Sequence, residues 1–150
     1  MEQRIKAGEV VPAFYLPDAR GQVVSRQQYR GHSNLLIIFL PEMGPASMNY
    51  LRALSRDASS WARDETALVI VKASVEDLAP LAGDLTISLL ADVEGKVHAR
   101  YLPDETAGGW FATDRWGELY AQGHVSSASE LPPPAELRGW LEFIACECGG

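Results

Sequence analysis

Apolar and polar positions along the chain alternate between two periodicities. Asn34-Leu-Leu-Ile-Ile-Phe-Leu40 and Ala67-Leu-Val-Ile-Val-Lys-Ala73 are near-continuous apolar runs of strand length. Such runs mark strands covered on both faces, as in a parallel sheet layered by helices. Ile87 to Ala91 is a third, shorter run of the same kind. Between the first two, Met48, Leu51, Leu54, Ala58 and Trp61 recur at steps of three and four, which predicts a helix from about Pro45 to Arg63 with one apolar stripe. Pro45 suits its first turn, where a missing N–H costs little. Val75 to Ala82 and Asp92 to Tyr101 read as shorter helices.

The flanks read differently. Val11 to Leu16 is extended, and the turn Asp18 to Gly21 leads into a short strand Gln22 to Ser25, a hairpin at the N-terminus. Gln27 to Arg30 is one helical turn stopped by Gly31. Trp110 to Thr113 and Glu118 to Gln122 form two strands about the turn Asp114 to Gly117. A Ser- and Pro-rich connection, Ser126 to Pro134, precedes a last helix from Ala135 to Ala145 with Leu137, Trp140, Leu141 and Ile144 on its apolar face. Strands alternating with helices and then a late hairpin predict an α/β protein with a central mixed β-sheet flanked by helices and an N-terminal hairpin extension.

The length of 150 residues predicts one domain spanning 1–150, with residues 146–150 as a frayed tail. Thirteen basic against twenty acidic residues give a net charge of -7, which argues against nucleic acid and anionic membrane as partners. The longest apolar run, Leu35 to Leu40, is far too short to span a bilayer, and Met1 to Val10 lacks a signal-peptide core. A cytoplasmic location is the expectation.

The opening Gly8-Glu-Val-Val-Pro12-Ala-Phe14-Tyr-Leu16-Pro-Asp18, then Gly21, Val24, Ser25, Tyr29-Arg-Gly31 and the strand ending Phe39-Leu-Pro41, resemble the peroxiredoxins, the alkyl hydroperoxide reductase and thiol-specific antioxidant group. Phe111-Ala-Thr-Asp114-Arg-Trp-Gly117 is similar to that family's strand and turn before its last hairpin strand. The resemblance runs from about residue 6 to 145 and implies a thioredoxin-like fold and antioxidant oxidoreductase ancestry.

The family's active-site pattern is Pro-x-x-x-Thr-x-x-Cys. Pro41 matches its first position, Pro45 falls on the threonine and Met48 on the peroxide-attacking cysteine. The family's active-site arginine falls near Gly108, between Ala107 and Gly109. Aligned instead with the thioredoxin Cys-Gly-Pro-Cys loop, the chain reads Met43-Gly44-Pro45-Ala46, again without a thiol, and the usual cis-proline also falls near Gly108. The resemblance thus implies a degenerate site. Peroxide cleavage needs a thiolate, which a helix N-terminus stabilises. A thioether has no proton to lose and oxidises only to a sulfoxide that a separate reductase must restore. Met48 is expected as packing, with a sacrificial or sensing methionine as the alternative.

Other candidates are sparse. Ser47 reads as a capping or solvated hydroxyl, since a serine nucleophile needs a base and His32, His98 and His124 are scattered. Asp92, Glu94, Asp104 and Glu105 read as a solvated acidic face, and His98 as a satisfied or exposed histidine. No cofactor and no metal-ligand set within the domain is expected. The two cysteines, Cys146 and Cys148, form a Cys-x-Cys near the C-terminus. In a continuing helix they project to nearly opposite sides, which disfavours a disulfide. In a frayed tail they are open to three roles: inert, a strained redox pair, or half of a zinc site shared with a second subunit. The sequence therefore predicts a non-catalytic binding or dimerisation module, with a homodimer or protein partner. The alternatives are a thiol-disulfide oxidoreductase using the tail pair and a metal-bridged assembly through it.

Overall fold

A computed structural model describes residues 3–147. Its centre is a five-stranded sheet with the order β5-β4-β3-β6-β7. A separate two-stranded hairpin, β1 (Tyr15–Pro17) with β2 (Val23–Ser25), sits beside it. The sheet comprises β3 (Asn34–Phe39), β4 (Glu65–Val71), β5 (Ser88–Ala91), β6 (Gly108–Thr113) and β7 (Leu119–Val125). The first three are mutually parallel, while β6 runs antiparallel to both β3 and β7. The mixed sheet and the hairpin extension are those the sequence predicts.

All six residues of β3 are buried, as an apolar run at the middle of a two-layered sheet requires. Alternation divides them between two cores. Leu36 and Ile38 pack with Leu51 and Leu54 of α1 (Pro45–Ala58) and with Leu137, Leu141 and Ile144 of α4 (Pro134–Glu147). Leu35, Ile37 and Phe39 point to the other face, against Val97 and Tyr101 of α3 (Lys96–Tyr101) and against Phe14 and Leu16. Truncating any of these leucines to alanine costs about 2–5 kcal/mol.

Several element limits differ from those expected. α1 stops at Ala58, five residues before Arg63, because the Ser59 and Ser60 hydroxyls donate to the Arg56 and Asp57 carbonyls and the Trp61 indole donates to the Asp57 carboxylate. Val75 to Ala82 splits into a single turn, α2 (Val75–Leu78), and a 3-10 turn beginning before Pro80. α3 begins at Lys96 rather than Asp92, after Gly95 takes a left-handed conformation at φ 71°. β6 begins two residues earlier than Trp110, at the glycine pair Gly108-Gly109. The last helix runs on through Cys146 to Glu147, and residues 148–150 of the expected frayed tail lie outside the described residues.

The segment before the hairpin is strapped to the far turn. Gly8 N–H donates to the Leu119 carbonyl, Val11 N–H to the Gly117 carbonyl, and Leu119 N–H back to the Glu9 carbonyl, at 2.9 Å each. Among the described residues no helix is long and apolar enough to cross a membrane.

Candidate functional site

In an open α/β sheet, ligand chemistry gathers beyond the carboxyl ends of the parallel strands. Here β3 ends at Phe39, and Leu40 and Pro41 lead through Glu42-Met43-Gly44 into α1. Gly44 is the N-cap of α1 and offers no side-chain cap, and Pro45 opens the helix. Pro41 and Gly44 are half-buried, while Met43, Pro45 and Ala46 are exposed.

The loop is tied down from within. Ser47 is fully buried, and its hydroxyl donates to the Glu42 carbonyl. It neither caps the helix nor faces solvent, contrary to the sequence expectation; it closes the loop onto the first turn of α1. The Glu42 carboxylate accepts the Ala128 N–H at 3.2 Å. One turn further along α1, the Tyr50 hydroxyl donates to the Pro132 carbonyl at 2.6 Å. Burial, followed by the nearby charges of Glu136 and Asp57, pushes the Tyr50 phenol well above its ordinary range, so it stays a protonated donor. Together these bonds anchor the mouth of α1 to the chain preceding α4.

Met48 lies half-buried in the second turn of α1, with its N–H on the Gly44 carbonyl at 2.9 Å, and packs against the α1–α4 core. The helix end provides N–H groups and a positive dipole, but the side chain there has nothing to ionise. Gly108 comes to the same place from β6. A Cβ on Gly108 would lie 2.5 Å from the Phe39 carbonyl oxygen and 2.7 Å from Pro41 Cγ, so the backbone of β6 is pressed onto the site loop. Any side chain at that position would force the Phe39 backbone or the Pro41 ring to shift. Peptide bonds among the described residues are all trans, Gly108 included.

The remaining candidates lie elsewhere. His32 is exposed on the loop before β3, and His124 is half-buried on β7, where its ring stands 2.9 Å from the Gln122 side-chain oxygen. Burial lowers the His124 pKa and favours the neutral ring. Cys146 is exposed on α4. Cys148 lies outside the described residues. Among the described residues no group of three or more His, Cys, Asp or Glu could hold a metal ion.

Asp92 corrects the expectation most sharply. Glu94, Asp104 and Glu105 are exposed, but Asp92 and His98 are each only 3% exposed. One Asp92 oxygen accepts the His98 N–H at 2.9 Å and lies 2.8 Å from His98 Nδ1, and the other accepts the Val97 N–H at 3.2 Å. Burial alone would raise the Asp92 pKa. The bonds from the His98 ring and from the two backbone N–H groups outweigh it and hold the carboxyl below its ordinary range. The His98 ring stacks edge-on against Phe39 at 4.9 Å, leaving Nε2 buried without a partner. The pair organises the start of α3, and Asp92 also lines a cavity shared with Tyr15, Ser74 and Arg100. Its sequence signal was the aspartate three residues before Gly95, the spacing of a turn that starts a helix.

No protein-family model matches the chain, and no curated protein matches it in sequence. Solved structures match it closely in shape. A thiol peroxidase from Chromobacterium violaceum superposes with a TM-score of 0.74 at 19% identity, over 93% of this chain and 87% of that one. A peroxidoxin from Mycobacterium tuberculosis gives 0.77 at 20% identity, over 95% and 97%. The PrxQ protein of Xylella fastidiosa gives 0.77 at 12% identity, over 96% and 98%. The chain has the thioredoxin-like fold of these structures, as its opening residues suggest.

Proposed function

We propose that this chain is a peroxiredoxin-like binding module that does not work as a cysteine peroxidase at the mouth of α1. One observation carries the reading: the helix end where the fold activates a thiol presents Met48, and the strand opposite it presents Gly108, whose backbone rests on Pro41. A thiolate attack on peroxide transfers an oxygen to sulfur and yields a sulfenic acid. At that helix end the chain carries a thioether, which cannot ionise to such a nucleophile, and the strand opposite carries glycine. What the mouth of α1 keeps is a braced loop and a packed, adaptable thioether, which suit binding rather than turnover.

The test is hydrogen peroxide consumption with a thiol reductant by the Cys146→Ser/Cys148→Ser variant. No turnover above the uncatalysed rate is expected, and steady turnover overturns the reading. Adding Met48→Cys to that variant is expected to recover little, because Gly108 brings no charged side chain to it.

The tail pair remains a rival as a thiol-disulfide centre. Cys146 is exposed on α4, which is helical through Glu147, the last described residue. A free-thiol count that falls from two to zero in the monomer under mild oxidant would support the rival instead.

A further inference from the structure

Along the flank of α1, below its mouth, the helix and the segment from Pro80 to Thr86 line a half-open cavity of about 490 Å³. That lies within the range of about 300–1,000 Å³ typical of small-molecule sites. Its apolar wall is Met48, Pro80, Leu81 and Leu85. Its polar wall is largely satisfied: the Ser55 and Thr86 hydroxyls stand 3.0 Å apart, and Thr86 N–H donates to Ser55 Oγ at 2.8 Å.

Two charged groups on the same wall are not satisfied in that way. Arg52 and Arg56, one helical turn apart on α1, both line the cavity. Neither belongs to an ion pair among the described residues. The one side-chain bond of Arg52 is a long 3.4 Å contact with the Asn49 amide oxygen. Asp84 is the single carboxylate in the lining. The cavity is therefore locally cationic in a chain whose net charge is -7.

We infer that this cavity binds a small aliphatic carboxylate, its carboxylate on Arg52 and Arg56 and its hydrocarbon body against Met48, Leu81 and Leu85. A guanidinium fork matches a carboxylate with two parallel hydrogen bonds, and two forks a turn apart outweigh the opposing Asp84. The unbranched thioether of Met48 adapts to a flexible chain better than a branched side chain does. The inference rests on the binding-module reading and gives it a ligand class. The two fail separately, because peroxide turnover reports on the mouth of α1 and this titration on its flank.

The probe is octanoate, titrated calorimetrically into the full chain beside octanol and octylammonium. Octanoate is expected to bind saturably at one site. Octanol should bind about tenfold or more weakly, and octylammonium should not bind. The Arg52→Gln/Arg56→Gln variant is expected to lose about tenfold or more in octanoate affinity, the loss of a charge-assisted pair. Both arginines are exposed, so that variant should keep its thermal transition. If it does not, amide shift changes on the unmodified chain decide the matter: changes centred on Met48, Leu81 and Leu85 support the site. Changes elsewhere, equal binding of octanol, octanoate affinity unchanged in a folded double variant, or no saturable octanoate binding overturn it.

Discussion

Two helices in this protein leave the carboxyl ends of parallel strands on opposite faces of one sheet, α1 after β3 and α3 after β5. They begin in opposite ways. α3 starts on a buried carboxylate, Asp92, which takes the N–H groups of Val97 and His98 and a ring nitrogen besides. α1 starts on Gly44 with no side-chain cap, a proline in its first turn and a thioether in its second. A charged side chain caps the start of α3, and none caps the start of α1. A helix end is thus not a reactive site in itself; the chemistry comes from the group it faces.

The largest expected effect in breaking this contrast is at Gly108. Gly108→Ala should destabilise the protein by about 3 kcal/mol, since the added Cβ meets backbone and ring atoms that must move. Chemical denaturation of the variant checks this, and a change below about 1 kcal/mol would mean that β6 is free to shift away from Pro41.

Next comes the start of α3. Asp92→Ala removes two N–H acceptors and the partner of a buried ring, and should cost about 2–3 kcal/mol. It also has a pH signature. Because the folded-state pKa of Asp92 lies below its unfolded value, its contribution is complete above about pH 4 and fades as pH falls through the folded pKa. Denaturation midpoints followed into acid should drop less steeply for Asp92→Ala than for the unmodified chain. His124 acts in the same direction nearer neutrality, since its lowered pKa withdraws stability as pH falls below about 6.5.

The smallest expected effect is at Met48. Met48→Leu keeps the volume and the apolar surface and should change stability by less than about 1.5 kcal/mol. A far larger loss would show that the mouth of α1 depends on its sulfur for more than packing.

The strands and the α1 stripe were legible in the sequence because burial on both faces leaves unbroken apolar runs, and because Leu51 and Leu54 recur with the helical period. The glycine pair opening β6 was not, since Gly108 and Gly109 carry no side chain to reveal a strand. Their place in it is set by how closely β3 approaches. At the candidate site, the positions Pro41 to Met48 could be read in order. The contact of Gly108 with Pro41 links residues far apart in the chain, and no local pattern encodes it. Asp92 was misread for a related reason. Seen beside Glu94 it looks like surface charge, and only the turn at Gly95 brings its carboxylate inward over the first N–H groups of α3.

The strand order carries a consequence for how the molecule is made. β3 is the middle of the sheet, yet its antiparallel neighbour β6 is not complete until Thr113. A chain emerging from the ribosome therefore holds an oily ribbon, Leu35 to Phe39, with one bare edge while some seventy further residues are still being added. Bare strand edges recruit other chains, and pairings between distant segments form slowly. Substitutions that delay the arrival of β6 should first be seen in the insoluble fraction of freshly synthesised protein, before any change in the properties of the finished fold.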